Sequence, residues 1–126
     1  MSKSIIHTPS APAAIGPYSQ AVQAGGMLFT SGQLGIDPAT GELAAGVKAQ
    51  AEWSMRNLGE ILKQAGLTYA DIVKTTVFVT DLGDFATVNA VYQRFFEEGY
   101  PARSCVQVAA LPKGGLVEIE CVAIRA

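Results

Sequence analysis

The segment YPARSCVQV places three side chains that could do chemistry at alternate positions, Arg103, Cys105 and Gln107. Side chains alternate between the two faces of a β-strand, so a strand here puts all three on one face. A guanidinium donates two parallel hydrogen bonds that match a carboxylate, and Arg103 could therefore receive a planar anion. The second interpretation is an ion pair with Glu118 or Glu120, and the spacing alone leaves both open.

The final predicted strand carries carboxylates that could handle protons beside a bound anion. We expect the last two strands, at about 102–108 and 116–125, to pair as a hairpin. In the register that keeps carboxylates out of the core, Glu118 shares a face with Arg103. Val106 then lies on the other face, under the helices. A polar cluster on an uncovered sheet face suggests a site built at a contact between subunits.

Asn89 and Cys105 each have a functional and a structural interpretation. Asn89 projects between apolar residues of the second predicted helix, and a polar group there must be hydrogen-bonded, so it could tie a backbone segment that lines the site. Cys105 could act as a nucleophile, but a nucleophilic thiol needs a base, and the only histidine is His7 near the start of the chain. We therefore interpret Cys105 as a small strand residue.

Two segments before the first helix could offer polar groups to a ligand. TSGQ ends a strand with Ser31 and Gly32, and such a turn can expose a hydroxyl and backbone N–H groups. Tyr18 follows Gly16 and is either a packing residue at the rim of a site or a functional phenol. One histidine and two separated cysteines give no metal-ligand spacing, so we expect no metal.

The elements that must position these residues are predicted in the order β-β-β-α-β-α-β-β. Apolar periodicity predicts a helix at about 46–65, with Gly66 as its stop, and a second from an Asp84 N-cap to about Glu98. The remaining strands are predicted at 3–7, 18–24, 27–31 and 72–80, and GIDPATGEL is typical of a turn. We expect an α+β domain over 1–126, with both helices on one face of a mixed sheet.

Composition favours an assembly of several copies of the chain. Hydrophobic residues make up 49% and charged residues only 16%, and the mean hydropathy is +0.26. A domain of 126 residues can bury only part of its apolar surface by itself. The predicted layering leaves one sheet face uncovered, so we expect other copies of the chain to cover it.

Charge and cysteine usage exclude several classes of partner. A net charge of −2 and a pI near 5.3 offer no electrostatic footprint for nucleic acid. No stretch approaches the roughly 20 apolar residues of a membrane span, and the N-terminal segment does not resemble a signal peptide. Cys105 and Cys121, both in predicted strands, indicate reduced thiols and a cytoplasmic location.

Several motifs together resemble one known family. The segments are APAAIGPYSQAV, TSGQ, IVKTTVFVTDLGDFATVNAVY, YPARSCVQVAALPKGG and VEIECVAIRA. In this order, over nearly the whole chain, they resemble the Rid family of reactive intermediate deaminases, and most closely its RidA subgroup, also called the YjgF family. PARSCVQVAALP is the most specific of them. Gln107 departs from the pattern, since many close relatives carry Glu there.

The resemblance implies a homotrimer of chorismate-mutase-like subunits, with three equivalent clefts between neighbours and no metal or cofactor. It implies hydrolysis of 2-iminobutanoate and 2-iminopropanoate, which form from 2-aminocrotonate and 2-aminoacrylate, to 2-keto acids and ammonia. By the same resemblance, Arg103 binds the substrate carboxylate, and Glu118 with the Cys105 backbone carbonyl positions and deprotonates a water. The positions that would complete the pocket are Tyr18, Ser31, Gly32 and Asn89.

Three other functions remain open at the level of sequence. A module that binds small carboxylates without turnover needs the same anion receptor. A related aminoacrylate deaminase of another catabolic pathway would use the same chemistry. RNA cleavage, an activity ascribed to some relatives, is disfavoured by the acidic pI and the solitary His7.

Overall fold

A mixed sheet and two helices account for most of residues 2–125, the part of the chain that the computed structural model describes. The first and last residues of the predicted domain 1–126 lie outside the described residues. The elements are β1 Ser4–Ile6, β2 Ala21–Ala24, β3 Met27–Thr30, β4 Gln33–Leu34, β5 Ile36–Asp37, β6 Glu42–Leu43, α1 Gly46–Gln64, β7 Ile72–Val79, α2 Phe85–Tyr92, β8 Ala102–Gln107 and β9 Val117–Ile124.

The strands form one large sheet in the order β1-β2-β3-β9-β7-β8, with β4 also paired to β9. All neighbours are antiparallel except β7 and β8, which are parallel. The sheet is therefore mixed, as predicted. Within GIDPATGEL, the predicted turn contains a small hairpin of β5 and β6, which forms a separate sheet.

Both helices pack on the same face of this sheet. The alternate residues Val117, Ile119, Cys121 and Ala123 of β9 belong to one buried core with Leu58 and Leu62 of α1 and with Val88 and Val91 of α2. The opposite face has no helix against it, and it carries Ile5, Phe29, Val106 and Ile124, which are 55%, 44%, 43% and 41% exposed. The predicted α+β class and layering are confirmed.

The first helix agrees with its prediction, and the second is shorter than predicted. Helix α1 ends at Gln64, where Gly66 adopts φ +77° and Leu67 N–H donates to the Leu62 carbonyl. Helix α2 ends at Tyr92 rather than near residue 98, because the chain tightens into a 3₁₀ turn over Gln93–Phe95 and then becomes extended. Tight 3₁₀ turns are common at helix ends, and periodicity does not reveal them.

The predicted hairpin of the last two strands is wrong. Strand β8 pairs in parallel with β7, with Arg103 opposite Thr75, and β9 is already paired on both edges. A strand, a crossover helix and a parallel strand form a compact unit, so the α2 connection returns β8 beside β7. Arg103 therefore lies on the helix-covered face, and Val106 lies on the open face with Glu118.

Neither helix of the described residues is long and apolar enough to cross a membrane.

Candidate functional site

The Arg103 guanidinium lies over one face of α2. Phe85, Asn89 and Tyr92 are spaced four and three residues apart, which places their side chains on one face of a helix. Arg103 Nη1 donates to Asn89 Oδ1 at 2.7 Å, and Arg103 Cζ lies 5.4 Å from the Phe85 ring centroid and 5.0 Å from that of Tyr92. Asn89, expected to tie a backbone segment, instead accepts from the guanidinium.

The ion-pair interpretation of Arg103 is wrong within this chain. The only salt bridge among the described residues joins Arg94 and Glu52 at 2.7 Å. Glu118 and Glu120 lie on the opposite sheet face from Arg103. A guanidinium has five N–H donors, and the one side-chain hydrogen bond it makes to residues 2–125 goes to Asn89. Donors therefore remain for an anion.

Cys105 and Gln107 continue the same strand face. The half-buried Cys105 packs against the core, and desolvation raises the pKa of its thiol while the Arg103 charge opposes the shift. This environment favours a neutral thiol, as expected for a strand residue that is not a nucleophile. Gln107 Oε1 accepts from Leu82 N–H at 2.9 Å and so ties the turn that leads into α2.

A pocket of about 640 Å³ opens beside Glu118 on the other sheet face. Tyr18, Ser31 and Gly32 line it with Glu118, as do the loop residues Pro12, Ala13, Ile15, Pro112 and Lys113. Ser31 Oγ donates to the Ser19 carbonyl at 2.5 Å, and the Tyr18 hydroxyl accepts from Ile15 N–H at 3.4 Å. The structure therefore brings four of the predicted site residues together here.

Gly32 makes room for the Glu118 carboxylate. A Cβ at residue 32 would lie 2.6 Å from Glu118 Cδ, closer than unbonded carbon atoms approach. Desolvation raises the pKa of Glu118, and the neighbouring Glu120 charge raises it further. A carboxylate with a raised pKa is a stronger base near neutral pH, so Glu118 is suited to accept a proton from water.

Sequence reasoning missed Gln20, which organises the loop over this pocket. Its side chain is 2% exposed. Gln20 Oε1 accepts from Thr8 N–H at 2.7 Å, and Nε2 donates to the carbonyls of Thr8 at 3.0 Å and Pro12 at 2.8 Å. Its neighbours in the segment PYSQ give no sign that Gln20 is buried. The one available signal was its position near the start of the strand predicted at 18–24.

The predicted single cluster is divided into two half-sites. The arginine half-site comprises Arg103, Asn89 and Cys105, and Arg103 and Asn89 line a second pocket of about 350 Å³. The carboxylate half-site comprises Tyr18, Ser31, Gly32 and Glu118. Because the two lie on opposite faces of one sheet, a single chain does not bring Arg103 and Glu118 together. Among residues 2–125, no group of three His, Cys, Asp or Glu side chains could hold a metal ion.

The fold and the two half-sites define a small α+β protein with an arginine that pairs with no carboxylate of residues 2–125 on one sheet face and a half-buried carboxylate of raised pKa on the other. Residues 8–125 match the family model described as Endoribonuclease L-PSP, and the chain belongs to that family. The resemblance to the Rid family is confirmed.

Relatives agree over nearly the full chain. A protein of Salmonella typhimurium named 2-iminobutanoate/2-iminopropanoate deaminase is 58% identical, with 99% of each chain covered. The crystal structure of RidA from Psychrobacter sp. is 53% identical with a TM-score of 0.94, covering 96% of this chain and 98% of that one. The structure of Escherichia coli TdcF with bound serine is 54% identical with a TM-score of 0.95, covering 98% and 99%.

Proposed function

We propose that this protein is a 2-iminobutanoate/2-iminopropanoate deaminase, an imine hydrolase that releases a 2-keto acid and ammonia. The observation that carries the proposal is the Arg103 guanidinium, held by Asn89 with donors left for a carboxylate. A relative that is named for this activity is 58% identical and supports the same reaction. The bound serine of TdcF, a small amino acid with a carboxylate, is consistent with a receptor of this kind.

The working site is completed by a second copy of the chain in a homotrimer. Arg103 and Glu118 occupy opposite sheet faces, so one subunit supplies the arginine half-site and its neighbour the carboxylate half-site. The open sheet face supports this arrangement, because it carries exposed Ile5, Phe29, Val106 and Ile124 that a second copy would cover. Cyclic symmetry makes each of the three clefts equivalent.

Hydrolysis needs little beyond orientation and a proton acceptor, because the iminium carbon is already electrophilic. Arg103 holds the substrate carboxylate through paired hydrogen bonds. The oxygen of a water held by Glu118 and the Cys105 backbone carbonyl adds to C2, and Glu118 takes the water's proton. Glu118 passes that proton to the nitrogen and then takes the proton of the C2 hydroxyl, so that the C2–N bond breaks, ammonia leaves and the ketone forms. Tyr18, Ser31 and the Gly32 N–H complete the pocket.

The supply of substrate follows from its chemistry. Enamines of 2-imino acids arise when a hydroxy amino acid loses water, so the enzyme acts after a dehydratase of serine or threonine, in amino-acid metabolism. Such imines are short-lived in water, and the enzyme must be in the same compartment as their source. The free thiols of Cys105 and Cys121 support the cytoplasm as that compartment.

The proposal favours imine hydrolysis over RNA cleavage, which the family description names. A net charge of −2 does not favour a polyanion, and exposed His7 does not line the pocket of either half-site.

The decisive experiment couples a threonine dehydratase to this protein and follows 2-ketobutyrate release. The wild type should accelerate release well above the spontaneous rate, and Arg103→Ala should not. A wild type that binds 2-ketobutyrate without accelerating release would instead identify a binding module. RNA cleavage by the wild type that persists in Arg103→Ala would assign a separate nuclease activity.

A further inference from the structure

Arg103, Thr75 and Tyr92 are linked to one another by strand pairing and by two side-chain contacts. In the sheet, Thr75 of β7 is the direct partner of Arg103 of β8. The hydroxyls of Thr75 and Tyr92 are 2.7 Å apart in a buried hydrogen bond, and the Tyr92 ring centroid lies 5.0 Å from the guanidinium. Strand pairing, hydrogen bond and ring contact thus link the same three residues in a triangle.

The Tyr92 ring supports Arg103 without occupying its donors. A cation over an aromatic ring interacts with the face of the π-system, whereas a carboxylate binds the N–H groups at the guanidinium edge. The hydrogen bond to Asn89 occupies one N–H group. The ring contact therefore restrains the position of the guanidinium and leaves N–H donors available for substrate.

We propose that Tyr92 is a positioning residue, oriented by Thr75, that holds the Arg103 guanidinium in place for carboxylate binding. Thr75 is fully buried, and Tyr92 is only 4% exposed although it lines the pocket beside Arg103, so its main contacts are with protein groups. An arginine side chain loses much rotamer freedom when a ligand orders it, and the triangle removes part of that cost before binding. This inference rests on the proposed function, since it assigns Arg103 a substrate carboxylate.

Tyr69 provides a matched control for a merely structural role. Its hydroxyl donates to the Met55 carbonyl at 2.7 Å, and its ring lies 6.3 Å from that of Phe96, which also packs against Tyr92 at 4.9 Å. Tyr69→Phe therefore removes a tyrosine hydroxyl hydrogen bond from the same aromatic cluster without changing a contact of Arg103. Both tyrosines have a pKa raised by burial, to about 12 for Tyr69.

The test compares Tyr92→Phe, Thr75→Val, their double variant, Thr75→Ser and Tyr69→Phe. For each we would measure KM in the dehydratase-coupled assay, the Kd of 2-ketobutyrate by calorimetry, and Tm. Tyr92→Phe and Thr75→Val should each raise KM and Kd about three- to tenfold, the effect of losing one neutral hydrogen bond. The double variant should match the single variants, because both remove the same interaction.

Two control variants, Thr75→Ser and Tyr69→Phe, distinguish positioning of Arg103 from a general effect on stability. Thr75→Ser keeps the hydroxyl and should retain wild-type KM and Kd, and Tyr69→Phe should lower Tm while leaving both unchanged. Unchanged Kd in Tyr92→Phe and Thr75→Val, or an equal rise in Tyr69→Phe, would overturn the inference. If Tyr92→Phe does not fold, Thr75→Val alone decides. A wild type that binds 2-ketobutyrate without turnover would refute the proposed function. The Kd values of the variants would still test whether Thr75 and Tyr92 position Arg103.

Discussion

At Arg103, the neighbours on α2 divide into one hydrogen-bond acceptor, Asn89, and two aromatic rings, Phe85 and Tyr92. None of them carries a charge, so the guanidinium is held in place but not neutralised. At Glu118, the reverse holds: burial and the Glu120 charge both work against ionisation. The arginine half-site thus contains a cation without a charged neighbour on α2, and the carboxylate half-site contains a carboxyl whose ionisation is disfavoured. A substrate with a negative carboxylate and a positive iminium group would supply the opposite charge that each half-site lacks.

Replacing Arg103 should separate activity from stability. Arg103→Ala should abolish most imine hydrolysis, because charge-assisted hydrogen bonds worth roughly 1.5–3 kcal/mol each are lost. Its Tm should be unchanged or slightly higher, because the arginine pairs with no carboxylate among residues 2–125. 2-Ketobutyrate should raise the Tm of the wild type and not of the variant.

Arg103→Lys is the control, since it keeps the charge and loses the planar fork, and it should rescue little activity. A large fall in Tm for Arg103→Ala, with no ligand effect in either protein, would contradict the receptor role.

The pH profile should report Glu118. Its pKa is raised, so kcat/KM should fall as pH decreases through that raised value, where the base becomes protonated. Glu120→Gln removes one cause of the elevation and should move this acid limb to lower pH. Glu118→Gln should lower turnover by about 10²–10⁴-fold at pH values above the limb and should remove the limb itself.

The same shift affects stability with a definite sign. A carboxyl whose folded-state pKa is raised stabilises the fold below its unfolded pKa and loses that contribution as pH rises through the folded value. As pH rises from the unfolded-state pKa to the folded-state pKa, Glu118→Gln should therefore lose less stability than the wild type.

In the kinetic experiment, an acid limb of kcat/KM that stays in place in Glu120→Gln would assign the titration to another group.

At the scale of elements, buried amide side chains hold the irregular segments in place. Gln20 ties the loop around Thr8 and Pro12, and Gln50 accepts from Leu116 N–H at 2.8 Å. Asn57 Nδ2 donates to the Ile36 carbonyl at 2.8 Å. Each hydrogen-bonds backbone groups in a loop or a short strand, and this holds the irregular segments in place.

Gln20→Leu should loosen the pocket loop. The change keeps the side-chain size and leaves the backbone groups of Thr8 and Pro12 without partners, at a cost of about 1–3 kcal/mol for each buried group. Hydrogen exchange of residues 8–13 should accelerate, and KM should rise. Gln23→Leu, the same change in β2, is the control and should leave that exchange rate unchanged. Equal exchange in wild type and Gln20→Leu would show that the loop holds without this side chain.

The order and type of the main elements could be predicted from sequence because they depend on local periodicity and stop signals, as at Gly66. The partner of β8 could not, because a strand's neighbour depends on the whole sheet and not on its own residues. That one error moved Arg103 and Glu118 onto the same face. The residues of the candidate site were identified from sequence motifs, and this identification does not depend on which strand pairs with β8.

At the scale of the molecule, the proposed homotrimer would cover the open sheet face and complete the divided site. Sedimentation should give a mass near three times the 13.2 kDa chain at micromolar concentration. Phe29→Asp places a charge on the open face and should yield monomers without imine hydrolysis, because desolvating the carboxylate opposes association. Thr87→Asp, on the exposed surface of α2, is the control and should remain trimeric. An active monomer would refute the shared site.

The division of Arg103 and Glu118 between two faces has a genetic consequence. Two inactive alleles, Arg103→Ala and Glu118→Gln, should complement each other when expressed in the same cell. Random mixing places both kinds of subunit in about three quarters of the trimers, and each such trimer holds one intact cleft, so about a quarter of the wild-type activity should return. The two inactive alleles would therefore complement each other. A cell that carries only these two alleles could still hydrolyse its imines.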